Sequence, residues 1–292
     1  MSRTSATEPP ASQPAMDMHN PHYAMGRHVE IAAWTDAYRA APEAIRNSAG
    51  LAVEQMGDAS LLCAPGIDHP MLNRAWVSKP TTNQLREIAK RYAELGVARF
   101  MIHVEKRADA PVFPENAGLT RYHRDWVKLL GQIGNRELPS ISSELEIREA
   151  WPAEAQACGA LFCAGFGVPD KARPIFAALV GRPSWRVFVA HDGDNEVVAA
   201  GYLFLGDRIA YLSGATTAEA HRRRGAQGAL LAARVRAAFG AGCHFIASET
   251  GGPVAGDPQH SQRNMERVGL EVVGVTENLV PSGFEWNPGQ SH

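Results

Sequence analysis

A run of arginines and glycines at residues 222–228 stands between a predicted β-strand and a long predicted helix, and it constrains the fold more than any other segment. The strand is predicted at 208–216. The helix, at 226–239, consists mainly of Ala, Leu and Arg, which are strong helix formers. Backbone N–H groups in the first turn of a helix lack partners and carry a partial positive charge. The junction therefore predicts a phosphate-binding site at the start of this helix.

The residue types of the segment suit a phosphate ligand. Gly225 and Gly228 let the backbone approach an anion closely because they carry no Cβ. The cations come from three consecutive residues and the remaining positions are small or polar; the full segment is Arg222, Arg223, Arg224, Gly225, Ala226, Gln227 and Gly228. Its spacing is neither that of a Walker A loop nor that of a dinucleotide-binding turn.

The elements around the junction alternate between strands and helices. The C-terminal strands are predicted at 145–148, 185–190, 196–205, 208–216, 243–248, 270–273 and 276–280, and the helices at 153–164, 171–180, 226–239 and 261–268. A polar turn at 192–195 joins two of the strands into a hairpin. This order predicts an α/β fold with a mixed central sheet and helices on its faces.

Together, the segment and the element order resemble the GNAT superfamily of acyl-CoA N-acyltransferases over roughly residues 144–280. Arg222 matches the first position of the family's Gln/Arg-x-x-Gly-x-Gly/Ala pattern and Gly225 its glycine, whereas Gln227 departs from the last position. The resemblance implies acetyl-CoA as cosubstrate and no metal. The implied cofactor-binding residues are those of segment 222–228 together with Leu212, Ser213, Gly214, Ala215 and Asn264.

The resemblance also implies the chemistry, in which an amine attacks the thioester directly in a ternary complex. Glu249, at the end of a strand, is the candidate general base. The family often places a proton-donating tyrosine where this chain has Met265, so His260, Ser261 and Tyr211 are candidate substitutes. Because the tyrosine is missing, a non-catalytic acyl-CoA-binding regulatory module stays open as an alternative. A nucleic-acid binder that uses the arginines is a weaker one.

The first half of the chain looks like a repeat of the second. A helix at 85–95 stopped by Gly96 and a strand at 97–104 are predicted there, followed by a second helix at 126–130. The spacing from Gly96 to Glu105 equals that from Gly240 to Glu249. In this register residues 78–84 stand opposite the arginine–glycine segment, but they contain no glycine and only one cation. The sequence therefore predicts a tandem protein whose N-terminal GNAT-like domain is degenerate.

Length and composition bound the remaining expectations. A chain of 292 residues fits two domains. We predict a disordered tail at 1–26, the degenerate domain at 27–138, the acyltransferase domain at 139–285 and a short tail at 286–292. The four cysteines lack Cys-x-x-Cys spacing, which is typical of a cytoplasmic protein without a metal site. A net charge of −2 favours neither nucleic acid nor membrane. The expected partner is a small amine, and a homodimer is compatible with the sequence.

Overall fold

The computed structural model describes residues 20–106, 118–134, 143–257 and 259–284. The α-helices in these ranges are α1 Pro21–Ala40, α2 Glu43–Ala49, α3 Thr82–Glu94, α4 Ala155–Phe166, α5 Arg173–Ala177, α6 Ala226–Gly240 and α7 His260–Arg267. The strands are β1 Ala52–Met56, β2 Ala59–Cys63, β3 Arg74–Val77, β4 Met101–Glu105, β5 Leu119–Arg121, β6 Trp126–Gln132, β7 Glu146–Glu149, β8 Trp185–His191, β9 Val197–Leu205, β10 Ile209–Thr217, β11 Phe245–Gly251 and β12 Glu271–Pro281.

The strands form one continuous mixed sheet. Its order is β1-β2-β3-β4-β12-β6-β11-β10-β9-β8-β7, and β5 pairs with β12 outside this path. The pairs β3–β4 and β10–β11 are parallel, and each is connected through a helix, α3 and α6 respectively. The expected α/β architecture with a mixed sheet is confirmed.

Two strands pair with strands that come from the other half of the chain. Strand β6, from the first half, lies between β11 and β12 and pairs antiparallel with both. Strand β12, from the second half, continues past β6 to pair with β4 through Thr276–Leu279. The helix predicted at 126–130 is therefore wrong, because the segment is the first part of β6. A short apolar run fits either element, and pairing with β11 on one side and β12 on the other decides it.

The first described helix begins earlier than expected. The sequence predicts a tail up to residue 26, but α1 begins at Pro21, and the side chain of Asn20 accepts a hydrogen bond from the His22 N–H at 3.0 Å. Asn as N-cap followed by Pro in the first helical position is a recognised helix start. Residues 21–26 therefore belong to a helix that Asn20 caps, and residues 1–19 of the predicted tail lie outside the described residues.

The other predicted elements agree with the structure apart from their ends. The helix at 85–95 corresponds to α3, and the hairpin around 192–195 is β8–β9. The strand predicted from 97 begins only at Met101, and the two predicted C-terminal strands merge into β12. The domain boundary at 138–139 and the tail at 286–292 lie outside the described residues. Among the described helices, none has the length and apolar character needed to cross a membrane.

Helices cover both faces of the C-terminal part of the sheet. On one face Tyr202, Tyr211 and Ala247 pack with residues of α1, α4 and α5. On the other face Leu212 and Ile246 pack with α6. Since side chains alternate along a strand, Glu249, two residues after Ala247, shares the face covered by α1 and α4. This placement puts a carboxylate under a helix from the first half of the chain.

Candidate functional site

The site is built where β10 and β11 separate. Their parallel pairing runs from Ile209↔Phe245 to Leu212↔Ser248 and stops there. Beyond that point β10 continues to Thr217 paired only with β9, and β11 continues to Gly251 paired with β6. An opening between two parallel strands exposes backbone groups that would otherwise be paired.

A bulge in β10 lies at the start of this opening. The register with β9 shifts between Leu212 and Ala215, so Ser213 and Gly214 have no partner there. A Cβ at Gly214 would lie 2.6 Å from Phe162 and 2.7 Å from Phe166. The predicted cofactor-binding residues of β10 therefore form a bulge packed against aromatic rings of α4.

The start of α6 has the features of an anion site. Gly225 is the N-cap, with φ 81°, and no side chain caps the helix. Arg223 also has a positive φ, 65°, and its exposed side chain has no ionic partner among the described residues. Two positive-φ residues within three positions turn successive backbone N–H groups toward one side. The residues present thus fit a pyrophosphate, which would be held by the α6 N–H groups and the arginines.

The other predicted cofactor residues gather around the same helix start. The Gln227 amide nitrogen donates to the Ser261 hydroxyl at 3.3 Å, and Asn264 donates to the Gln227 oxygen at 3.3 Å. Arg222 donates to the Thr217 carbonyl at 3.4 Å, and Arg224 pairs with Glu144 at 3.1 Å. Helix α7 thereby meets α6 at the arginine–glycine segment.

Two of the predicted catalytic residues do not meet the third. Ser261 contacts Gln227, as above, and His260 is exposed at the first position of α7. In the part of the chain that the structure describes, neither side chain hydrogen-bonds to Glu249. Met265 is partly buried and packs against the apolar cluster beneath α6, so it supplies no polar group at the position where the GNAT superfamily often has a tyrosine.

Glu249 belongs to a cluster of four charged side chains, of which the other three are buried. Lys128 Nζ lies 2.5 Å from Glu249 Oε2 and 2.6 Å from Glu30 Oε2. Arg74 Nη1 lies 3.4 Å from Glu249 Oε1 and 3.7 Å from Glu30 Oε1. The Glu249 side chain is 18% exposed, whereas that of Glu30 is 1% exposed. Glu249 is therefore the member through which the cluster reaches solvent.

The cluster fixes the ionisation of its members. Burial alone would raise the pKa of Glu249, but the charges of Lys128 and Arg74 outweigh it and hold that pKa well below its ordinary value. Burial, together with the charge of Glu249, raises the pKa of Glu30. Glu249 is an ionised carboxylate at neutral pH.

Tyr211 lies beside this carboxylate. It is buried on β10, and burial together with the negative charges of Glu249 and Glu30 holds the pKa of its hydroxyl well above the usual value. Its hydroxyl therefore keeps its proton through the physiological pH range, as a proton donor must.

Three residues of the cluster were not among the sequence candidates. Glu30, Arg74 and Lys128 come from α1, β3 and β6, so only the strand order reveals that they meet Glu249. The one sign of this cluster in the sequence is Lys128, a charged residue inside the apolar run at 126–130.

Arg234 was missed as well. It sits in α6 four residues after the buried Leu230, on the face that packs against the sheet. A charged residue at that spacing was detectable in the sequence.

No model of a known protein family matches the chain, and the search of curated proteins found no match. Solved structures are similar to it. A GCN5-related N-acetyltransferase from Kribbella flavida has a TM-score of 0.61 at 16% identity, covering 87% of this chain and 95% of that one. Another from Sphaerobacter thermophilus has 0.57 at 15%, covering 84% and 87%.

A third neighbour has the tandem arrangement. It is a tandem GNAT protein from the clavulanic acid biosynthesis pathway, with a TM-score of 0.51 at 11% identity, covering 78% of this chain and 79% of that one. The similarity extends over both halves of the chain. At sequence identities of 16%, 15% and 11%, it shows the fold alone. The chain has the tandem fold of the GNAT acetyltransferases.

Proposed function

We propose that the protein is an acyl-CoA N-acyltransferase that moves an acetyl group from acetyl-CoA to a primary amine in a ternary complex. The observation that carries the proposal is the opening between β10 and β11 beside a helix start with no side-chain cap and with flanking arginines. Such a helix start binds phosphate, and the opening accepts an extended arm.

The cofactor would lie along this opening. Its pyrophosphate would meet the α6 N–H groups and Arg222–Arg224, and Asn264 and Gln227 lie within reach of the same end. The pantetheine arm would follow β10 past Leu212, where the strand has lost its β11 partner. The thioester would then stand at the bulge, on the side of the sheet that carries Glu249.

The reaction needs a nucleophile, an oxyanion donor and a proton acceptor. The amine nitrogen bonds to the thioester carbon, which moves the carbonyl electron pair onto oxygen, and the C–S bond then breaks. Glu249 is a weak base because its pKa is held low. The amine has to arrive in its neutral form, and Glu249 can take the nitrogen proton as the C–S bond breaks, because the N-protonated amide formed at that point is strongly acidic. The Tyr211 hydroxyl, buried on β10 beside Glu249, is the candidate to protonate the leaving thiolate.

The alternative is a regulatory module that binds acyl-CoA without turnover. The position of Met265 favours it, because this side chain packs against the core and has no proton to give. The two functions share the cofactor site and differ only at the opening.

Calorimetric titration of acetyl-CoA into the full-length protein tests the cofactor site. The wild type should bind. Gly225→Glu should weaken binding by about 100-fold or more, because its carboxylate puts a negative charge where the negatively charged phosphates would bind. The double variant Arg222→Ala/Arg224→Ala should lose about 10- to 100-fold with its charge-assisted hydrogen bonds. Arg236→Ala, an exposed arginine on the same helix, is the matched control and should bind like the wild type. No binding by the wild type would end the acyltransferase proposal.

Measuring the release of free CoA thiol from acetyl-CoA with a panel of primary amines distinguishes an acyltransferase from a non-catalytic regulatory module. Turnover that falls about 100-fold in Glu249→Gln, with acetyl-CoA affinity kept, would support catalysis through Glu249. Binding without turnover across the panel would favour the regulatory module.

A further inference from the structure

Arg234 is a buried cation with no carboxylate partner among the described residues. It is 3% exposed, and burial lowers its pKa to about 10. Its Nε donates to the Leu230 carbonyl at 3.1 Å, and its Nη1 donates at 3.2 Å to each of the carbonyls of Tyr202 and Ser213. Burying a charge against neutral groups alone is costly. The role of this buried cation should therefore be sought in the carbonyl groups that it binds.

Two of the three carbonyls, those bound by Nη1, lie at the β10 bulge. Tyr202 is on β9, and Ser213 is one of the two bulged residues of β10. The guanidinium therefore spans the gap that the bulge leaves between the two strands. Its approach depends on Gly201, where a Cβ would lie 2.9 Å from Nε. The arginine takes over hydrogen bonds that the bulge removes from the ladder.

The contacts on either side show which way the bulged peptide points. The Leu212 carbonyl accepts from the Ser248 hydroxyl at 3.0 Å, so it faces β11. The next carbonyl, that of Ser213, faces Arg234 and β9. In a trans peptide the C=O and the following N–H point in opposite directions. The Gly214 N–H is therefore directed toward the edge of β10 that β11 leaves, into the opening.

We infer that Arg234 is a positioning residue that aims the Gly214 N–H at the carbonyl of a bound thioester. The inference rests on the proposed function. Holding the Ser213 carbonyl fixes the peptide plane, and a cation on that oxygen polarises the peptide, which makes its N–H a stronger donor. When the amine adds to the thioester carbon, the oxygen gains the electron pair from the C=O bond and Gly214 stabilises it until the C–S bond breaks.

Infrared spectroscopy of acetyl-CoA labelled with ¹³C at the thioester carbonyl tests the inference without knowledge of the acceptor. On binding to the wild type, the carbonyl band should move to lower wavenumber than in solution. In Arg234→Met most of that shift should disappear, while the Kd for acetyl-CoA stays within about twofold because the pyrophosphate contacts are remote. Arg236→Met, an exposed arginine two positions along α6, should keep the full shift.

The outcomes separate this inference from the proposed function. A full shift in Arg234→Met, or no shift in a wild type that binds acetyl-CoA, overturns the role of Arg234 and leaves the cofactor site standing. Failure of the wild type to bind acetyl-CoA overturns both.

A second measurement uses only the wild type, in case Arg234→Met does not fold. The amide proton of Gly214, followed by NMR, should move downfield on addition of acetyl-CoA and respond much less to CoA, which lacks the carbonyl. An equal response to both ligands overturns the inference.

A kinetic measurement becomes possible once an accepted amine is known. Arg234→Met should then lower kcat by about 100-fold and leave the KM for acetyl-CoA unchanged, and Arg234→Lys should recover part of the loss.

Discussion

The two halves of the molecule contain the same strand–helix–strand unit, but among the described residues only the helix start of the second unit lacks a side-chain cap and is flanked by arginines, the arrangement proposed to bind phosphate. In β3–α3–β4 the parallel pairing ends at Val77↔Val104, one residue before Glu105. In β10–α6–β11 it ends at Leu212↔Ser248, one residue before Glu249. Each pairing covers four residues of each strand. The scaffold has thus been retained in both halves, in the register that the sequence comparison indicates.

The difference lies in the connection from strand to helix. Five positions lead from Val77 to the start of α3 at Thr82, and fourteen lead from Leu212 to the start of α6 at Ala226. The Thr81 hydroxyl caps α3 by accepting from the Gln84 N–H at 3.1 Å, and the Gln84 side chain donates to the Asp58 carboxylate at 2.6 Å. A capped helix start beside a carboxylate repels a phosphate. The difference that matters for the proposed phosphate site therefore lies in the connection from strand to helix.

The N-terminal half contributes to the other site instead. Its residues Glu30, Arg74 and Lys128 surround Glu249, and β6 completes the sheet beside β11. Arg124 donates to the Gly252 carbonyl at 3.0 Å, which ties down the segment that follows β11. The half whose helix start is capped thus forms part of the candidate active site.

Separation of the two halves should have the largest effect on the protein. A fragment of residues 143–292 lacks β6, so the facing edges of β11 and β12 lose their partner. We expect this fragment to aggregate and to show no cooperative unfolding in urea, as judged by circular dichroism and size-exclusion chromatography. Co-expression with residues 1–142 should restore a soluble complex. A soluble fragment that unfolds cooperatively would show that the C-terminal half folds alone.

Lys128→Met tests how the N-terminal half supports Glu249. It leaves two buried carboxylates with Arg74 as their one remaining cation in the cluster, and we expect a loss of about 3–5 kcal/mol in the free energy of unfolding at pH 7. Without Lys128 we expect the pKa of Glu249 to rise above its unfolded value and that of Glu30, which is already raised, to rise further. The folded variant then takes up protons as the pH falls, so its deficit should shrink toward pH 5.

The wild type supplies the reference for that pH dependence. Its Glu249 has a lowered pKa, so the stabilisation from this group is present above the ordinary carboxylate value of 4.5 and is lost below it. Lys90→Met removes an exposed pair with Glu94 on α3 and should change stability by no more than about 0.5 kcal/mol. A deficit in Lys128→Met that stays constant from pH 7 to pH 5 would contradict the account.

Arg223 and Lys79 are the cations at equivalent positions of the two connections, so they allow the effect of a single charge to be measured in each half. Arg223→Ala should weaken acetyl-CoA binding by about tenfold, the usual value of one charge-assisted hydrogen bond. Lys79→Ala should leave the Kd unchanged, as measured by the same calorimetric titration. Equal losses in both variants would mean that the arginine acts only through the overall charge of the protein.

The sequence predicted what is local and missed what depends on strand pairing. The arginine–glycine segment was readable because helix starts, glycines and cations lie within seven residues of one another. Strand β6 was mistaken for a helix because only its pairing with β11 and β12 distinguishes the two. The contact between Lys128 and Glu249 spans 121 residues and follows from that same pairing. The start of α1 at Asn20 and Pro21 was a local signal that the prediction overlooked.

Thr81→Ala is the smallest test and isolates the helix cap from the rest of the connection. It removes the hydroxyl that accepts from the Gln84 N–H, so the protein should lose about 1 kcal/mol of unfolding free energy in urea. It also gives α3 the open start that α6 has. Acetyl-CoA binding should still be confined to one site per chain, because the shorter connection brings neither a glycine nor an arginine to the α3 start. A calorimetric stoichiometry of two in this variant would show that the cap alone had closed the N-terminal site.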